Sequence, residues 1–164
     1  MSSIAPDASV GGERAPHVAP MPVAAIEGWF TLDPERPALL GTRCRQCGTV
    51  FFPRAEGFCR NPECRGREFE ETELSRHGTV WSYTDAQYRP PPPYVAAEPF
   101  EPFAIAAVEL DEEAMVVLGQ VAKGFGVSDL SVGCRVELVL EPLYEVEGVP
   151  HLIWRWRPDR REPG

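Results

Sequence analysis

Reading the chain for alternation of apolar and polar side chains gives five β-like runs after residue 75 and no long helical pattern. The runs are Gly78 to Asp85, Phe103 to Leu110, Met115 to Val121, Arg135 to Glu141 and Leu152 to Arg157, each bounded by Gly, Pro, Asp or Glu turn residues. Side chains alternate across a strand, so in the first run Thr79, Trp81 and Tyr83 oppose Val80, Ser82 and Thr84. Arg135 to Leu140 alternates most cleanly, placing Val136, Leu138 and Leu140 inward and Arg135, Glu137 and Val139 outward. Phe103 to Leu110 is apolar on both faces, as expected of a strand covered by another element or buried within an assembly. Five short strands predict a small barrel.

The first half of the chain is patterned differently. From Val23 to Leu40, apolar residues recur loosely at Ile26, Trp29, Phe30, Leu32, Leu39 and Leu40, while Pro34 and Pro37 remove backbone donors and restrict their predecessors. A short helix followed by an extended arm is the expectation. Thr42 to Glu71 is a cysteine module punctuated by Gly48, Pro53, Gly57, Pro62 and Gly66, with little core to bury unless a metal organises it. The Pro90 to Pro93 run after Arg89 forms polyproline II, which cannot sit inside a sheet, so it predicts a stiff loop projecting between the first two barrel strands. Met1 to Met21 is rich in Ala, Pro, Ser and Gly and is expected to be disordered. The predicted organisation is a tail over 1–22, an arm with a short helix over 23–41, a zinc ribbon over 42–74, a barrel over 75–158 and a second tail over 159–164.

Composition narrows the function classes. At 164 residues the chain has room for a small metal-stapled module joined to one compact β domain. Its 18 prolines, about twice average usage, agree with a fold of strands and loops. Sixteen basic against 25 acidic residues give a net charge of −9, which repels phosphate backbones and disfavours nucleic-acid binding. No run approaches the length of a membrane-spanning helix and no signal-peptide pattern opens the chain, so a soluble, cytoplasmic protein is expected. Four of the five cysteines fall within a 21-residue window, which suits metal binding in a reducing compartment better than a disulfide framework.

Those four cysteines carry the strongest chemical signal. In Cys44-Arg45-Gln46-Cys47-Gly48 the two-residue spacing lets both thiolates face one cation, and the following glycine permits the turn. The second pair, Cys59 and Cys64, is separated by four residues, so its loop must be wider, still within the range of structural zinc sites. Cys44, Cys47, Cys59 and Cys64 would close a tetrahedral shell around one Zn²⁺ with no vacant position, so the site is structural rather than catalytic. An iron–sulfur centre could use the same ligands. Arg43, Arg45, Arg60 and Arg65 flank the ligands and offset the −2 charge of a four-thiolate zinc centre, or face a partner. Cys134, at the start of a strand, reads as a small buried hydrophobe.

Two rival readings follow from the same residues. A barrel of this size can bind single-stranded nucleic acid through aromatics in a basic groove, against which the charge argues. An independent hydrolase or transferase would need His77, His151, Cys134 and carboxylates to converge, and no phosphate loop or nucleophile-elbow motif is present; Gly124-Phe125-Gly126 is too short for a phosphate cradle.

The local sequences resemble the family known as domain of unknown function thirty-five, zinc-ribbon/OB-fold proteins associated with acyl-CoA enzymes. The matching pieces are Gly28-Trp29-Phe30-Thr31, Leu39-Leu40-Gly41-Thr42-Arg43-Cys44, Cys47-Gly48-Thr49-Val50-Phe51-Phe52-Pro53 and Gly78-Thr79-Val80-Trp81-Ser82-Tyr83-Thr84. Pro102-Phe103-Ala104, Val108-Glu109-Leu110-Asp111, Val132-Gly133 and Trp156-Arg157-Pro158 continue the match, which spans about Ile26 to Pro158. The resemblance implies a mainly β chain: an N-terminal arm with a short helix, a rubredoxin-like zinc ribbon and a C-terminal five-stranded OB-fold barrel. It also implies a non-catalytic subunit that pairs with a thiolase, or with a thiolase-like aldolase of the lipid-transfer-protein type, beside the acyl-CoA entrance, in a heterotetramer with two copies of each chain. The loop from Tyr88-Arg89-Pro90 to Tyr94 is similar to the version found with aldolases of steroid side-chain degradation, whose partner cleaves a carbon–carbon bond in a CoA thioester. On this reading Trp29, Phe30, Tyr88, Arg89, Pro91, Tyr94 and Phe100 lie near the partner or the acyl-CoA. Independently, a stiff proline loop loses little entropy on docking, and Tyr88, Tyr94, Phe100 and Phe103 are aromatic anchors of the kind that dominate interfaces.

Overall fold

The computed structural model describes residues 20–92, 94–96 and 98–159. The expected tails lie almost wholly outside these residues, as does Pro93 of the proline run. Nine strands are present: β1 (Val23–Ala24), β2 (Leu40–Cys44), β3 (Val50–Phe51), β4 (Phe69–Glu73), β5 (His77–Ala86), β6 (Phe103–Leu110), β7 (Val116–Val121), β8 (Arg135–Val146) and β9 (Val149–Pro158).

Strands β5 to β9 form the predicted five-stranded OB-fold barrel. β5 pairs antiparallel with β6, and β6 with β7. β7 runs parallel to β9, β9 antiparallel to β8, and β8 returns to β5 and closes the sheet. Each predicted run is a strand, and β6 has the predicted bounds. β8 and β9 run further than the pattern indicated. Pro142, which suggested an end to β8, is accommodated at a register shift between Pro142 and Tyr144. The hairpin then closes on Glu147 and Gly148, whose φ of 49° and 80° suit the two-residue turns that match strand twist.

Inside the barrel, Val80, Ala106, Val108, Leu110, Val136, Leu138 and Trp156 are 0–1% exposed. Trp156 requires a gap opposite it, and Gly119 of β7 supplies one: a Cβ there would come 2.7 Å from Trp156 Nε1 and 2.9 Å from Trp154 Nε1. Val139, expected outward, is buried beside its cross-strand neighbour Arg155, itself 6% exposed, so the outer surface of the sheet is covered at that point.

The arm contains no helix, which corrects the expectation for 23–41; the one helical element among the described residues is a single 3₁₀ turn, Val127–Asp129. Asp33 explains the difference. Its Oδ1 accepts the amides of Glu35 at 2.9 Å and Arg36 at 3.1 Å, donors that a helix would have directed at carbonyls, and Pro34 and Pro37 have none to give. The chain instead doubles back, with Thr31 N donating to Ala38 O at 2.9 Å and Leu40 N to Trp29 O at 2.8 Å. Ahead of it, β1 lies parallel along β9.

β2, β3 and β4 form a separate antiparallel sheet with β2 in the centre. Aromatic packing joins it to the barrel. Trp154 of β9 stacks with Trp29 at 6.1 Å and meets Phe30 at 5.7 Å and Phe52 at 6.1 Å edge-on. One side chain thus touches the arm, the segment after β3 and the barrel core. Arg76 adds a polar tie, donating to Glu35 O at 2.6 Å and pairing with Glu137 at 3.1 Å.

Candidate metal centre

Cys44 closes β2 and the chain turns sharply after it. Gly48 N donates to Cys44 O at 2.8 Å and Cys44 N to Thr49 O at 2.9 Å, with Gly48 at φ 75°, a conformation that costs glycine nothing. Cys47 is thereby folded back beside Cys44. The four-residue gap of the second pair is taken up by Asn61, whose Oδ1 accepts the amide of Glu63 at 3.1 Å while its carbonyl accepts Cys64 N at 2.9 Å. Cys59 N donates to Gly66 O at 2.8 Å, closing that loop. Gly66 is indispensable for space: a Cβ would sit 2.8 Å from Cys44 Sγ and 3.3 Å from Cys64 Sγ.

All four sulfurs lie within 4.8 Å of one another. A tetrahedral Zn–S bond of about 2.3 Å requires sulfurs about 3.8 Å apart. The separations of 3.9 Å for Cys44 and Cys64 and 3.6 Å for Cys47 and Cys59 meet that requirement. Cys44, Cys59 and Cys64 are buried and Cys47 is exposed. Four protein thiolates fill the shell, so the centre is structural and its one Zn²⁺ has no open position.

Second-sphere groups divide the thiols. Thr49 Oγ1, 3.2 Å from Cys47 Sγ, holds the Cys47 thiol down to about 6, because a hydroxyl stabilises the thiolate. Burial pushes Cys59 up to about 12; at Cys64 the Gly66 amide pulls the thiol down, but burial with the Cys47 and Cys44 thiols outweighs it and the net direction is upward. Gly66 N donates to Cys64 Sγ at 3.3 Å. These partners were not singled out in the sequence; Thr49, directly after the knuckle glycine, offered the only local signal.

Charge is segregated around the centre. Residues 42–68 carry six arginines against three glutamates, whereas 69–159 carry sixteen carboxylates against six cations. Three of those carboxylates, Glu70, Glu71 and Glu73, lie on β4 and balance the ribbon's arginines, so most of the net charge of −9 belongs to the barrel. Arg45 approaches Glu70 at 3.8 Å, Arg43 donates to Gly48 O at 3.3 Å, and Arg60 lies over the Phe51 ring at 6.0 Å.

The proline loop between β5 and β6 is held at its base. Arg89 pairs with Glu98, and Gln120 of β7 donates to Tyr94 Oη at 2.9 Å. Tyr94 and Phe100 both fold onto Phe103, with centroids at 5.8 and 6.2 Å. They line a groove of about 300 Å³ with Lys123 and Arg155. Tyr88, 76% exposed, and Pro91 face outward. Of the seven residues expected near a partner, Phe30 has only 4% of its surface free and Trp29 is partly buried against Phe52 and Trp154. The arm aromatics pack internally against Phe52 and Trp154, whereas Tyr88 and Pro91 are displayed on the loop.

Comparison with known proteins sharpens the assignment. Residues 33–70 match the rubredoxin-like zinc ribbon domain of ChsH2, and residues 71–141 match its C-terminal OB-fold domain. A DUF35 domain-containing scaffold protein of Methanocaldococcus jannaschii is 39% identical over 130 residues, covering 76% of this chain and 84% of the relative. The chain belongs to the DUF35 family. Benzoylsuccinyl-CoA thiolase subunit BbsA of Thauera aromatica is 43% identical over 53 residues, 32% of this chain and 35% of BbsA. Among solved structures, an Ltp2-ChsH2(DUF35) aldolase chain superposes with a TM-score of 0.54 at 26% identity, covering 74% of this chain and 84% of that one. The zinc-ribbon match favours zinc over an iron–sulfur centre in this DUF35 chain.

The groups that an independent hydrolase would need are dispersed. His77 lies 3.9 Å from Glu137, whereas His151 stacks on Tyr144 at 4.7 Å. Glu137 and Tyr144 are seven residues apart along β8, roughly 23 Å at strand rise. Cys134, partly buried, accepts from Val80 N at 2.9 Å through its carbonyl and packs against the core. Among the described residues no helix is long and apolar enough to cross a membrane.

Proposed function

We propose that this DUF35 chain is a non-catalytic accessory subunit that binds a thiolase-superfamily enzyme, a thiolase or a lipid-transfer-protein-type aldolase, and supports its acyl-CoA site. The observation that carries the reading is the kinship with chains named as a scaffold, a thiolase subunit and part of an Ltp2-ChsH2 aldolase. Two features of the chain agree with it. The zinc shell is closed to substrate. The loop carrying Tyr88, Arg89 and Pro91 is fixed at its base and displayed at its tip, so docking orders few side chains.

The finer reading places Tyr88, Arg89 and Pro91 at the partner, with Tyr94 and Phe100 supporting them from below. It takes the complex as cytoplasmic, with two copies of each chain, acting on a CoA thioester whose carbon–carbon bond the partner cleaves, as in steroid side-chain degradation. Co-expression with a thiolase-superfamily enzyme from the same organism tests this: a complex of two plus two chains is expected on gel filtration with light scattering. An enzyme that is soluble and fully active alone, with no complex surviving the column, would overturn the proposal.

A further inference from the structure

The barrel displays an apolar surface that no described residue covers. The side chains of β6 that face into the barrel are Ala104, Ala106, Val108 and Leu110, each 0–4% exposed. The other face of that strand is also apolar, carrying Ile105 and Ala107. Cross-strand register sets Ala107 between Ser82 and Leu118, and Glu109 next to Val116. Leu118 is 64% exposed and Val116 44%. Trp81 is the extra residue of a bulge, since Val80 pairs with Val108 but Ser82 with Ala107, and at 62% exposure it must lie outside the barrel. An exposed tryptophan, leucine and valine around a flat alanine, on three adjacent strands, is the composition of an interface centre rather than of scattered surface apolars.

What covers this face is narrowed by charge and by the rest of the chain. Residues 1–19 contain no Phe, Trp or Tyr and only Met1, Ile4, Val10 and Val18 as large aliphatic side chains, too little to cover it. The patch is acidic at both ends. Glu109 and Glu112 are exposed beside the β6–β7 turn, and Asp85 and Glu101 are exposed where β5 leaves the sheet and β6 enters it. The nearby cations are already neutralised, Arg135 by Asp111 and Arg89 by Glu98. Two copies pressed face to face would set carboxylates against carboxylates in either direction, on a chain already at −9. A different protein with a basic rim would not meet that repulsion.

We propose that the outer face of β5, β6 and β7, centred on Trp81, Ala107 and Leu118, is the principal docking surface for the thiolase-superfamily subunit, which meets it with an apolar centre and a basic rim. This rests on the accessory-subunit reading, and adds the barrel wall to the displayed loop of Tyr88, Arg89 and Pro91 as the larger part of the contact.

Sedimentation equilibrium of the co-expressed pair tests it with two variants, Trp81→Ser/Leu118→Ser and Glu109→Lys/Glu112→Lys. All four positions are exposed, and bound zinc and melting temperature report whether each variant keeps its fold. The apolar double variant is expected to weaken association about 100-fold, in line with interface anchors. The charge reversal is expected to weaken it about tenfold at low salt and much less at high salt. A complex that tolerates both variants within twofold overturns this inference while leaving the accessory reading in place. A wild-type chain that binds no such enzyme overturns both. A self-dimer abolished by the apolar variant, with enzyme binding unaffected, assigns the face to a second copy and also overturns it.

Discussion

Between Leu40 and Glu73 the largest fully buried side chain is that of Cys44, whereas between His77 and Pro158 it is the indole of Trp156, followed by Leu110, Leu138, Val80 and Val108. The two regions are both small β structures, but they are held differently. The barrel closes its sheet on itself and fills the interior with branched and aromatic side chains, so its edges and its apolar surface are dealt with together. The ribbon is an open three-stranded sheet whose own cluster is three cysteines with Phe51 and Phe69 packed against them. So small a core cannot offset the entropy of ordering its loops, and the deficit falls to the metal, which in structural zinc sites contributes about 10–16 kcal/mol. Leu39, Leu74 and Phe52 blur the division, because they pack into the barrel cluster.

The most forceful way to break this contrast is to remove the metal. Cys44→Ser leaves three thiolates, and one buried ligand fewer should abolish tight zinc binding and unfold the ribbon. Hydrogen exchange is the discriminating measurement. Amides of β2, β3 and β4 are expected to lose their protection entirely, while those of β6, β8 and β9 change little. Equal loss in both sets would mean that ribbon and barrel are one cooperative unit.

Trp154→Ala probes the contrast from the shared side. Removing a buried tryptophan costs about 3–5 kcal/mol, and this one contacts Trp29, Phe30 and Phe52 as well as the barrel. The denaturation midpoint should fall accordingly while zinc stoichiometry stays at one. Loss of the metal in this variant would show that the knuckles depend on the barrel and not only on their ligands.

The same contrast explains what was legible in the sequence. Metal ligands announce themselves by residue type and spacing, so Cys44, Cys47, Cys59 and Cys64 were readable before any geometry. Strands with one buried face announce themselves by period, as Val136 and Leu138 did. The arm misled because its apolar spacing is compatible with a helix, and the Asp33 turn that prevents one is a local hydrogen-bond competition which periodicity does not register. The internal packing of Trp29 and Phe30 was hidden for a related reason. Their destination, the ring of Trp154, is over a hundred residues away in sequence, and nothing local encodes that meeting. The two-faced pattern of β6, in contrast, carried through: Ile105 and Ala107 belong to an outer face with Leu118 beside them.

Acid separates the two regions most finely. In the ribbon, protons compete with zinc for four thiolates; with Cys59 raised to about 12 and Cys47 held near 6 by Thr49, the metal must displace protons to bind. The barrel has a gentler dependence. Arg135 donates to both oxygens of Asp111, at 2.6 and 2.7 Å, and holds that carboxyl below its usual range, aided by the charges of Arg135 and His77. A carboxylate with a lowered folded pKa stabilises the fold above its unfolded value of about 3.9, and that contribution is lost as pH falls through the folded pKa. Titration from neutral pH is therefore expected to release zinc first, seen with a chromogenic chelator, and to weaken the barrel only below about pH 4. Arg135→Gln should lower barrel stability slightly at pH 7, the smallest effect of the three because the pair is partly exposed. Its deficit against the wild type should shrink to nothing once Asp111 is protonated in both; a deficit that persists at low pH would mean that Arg135 acts through packing rather than charge.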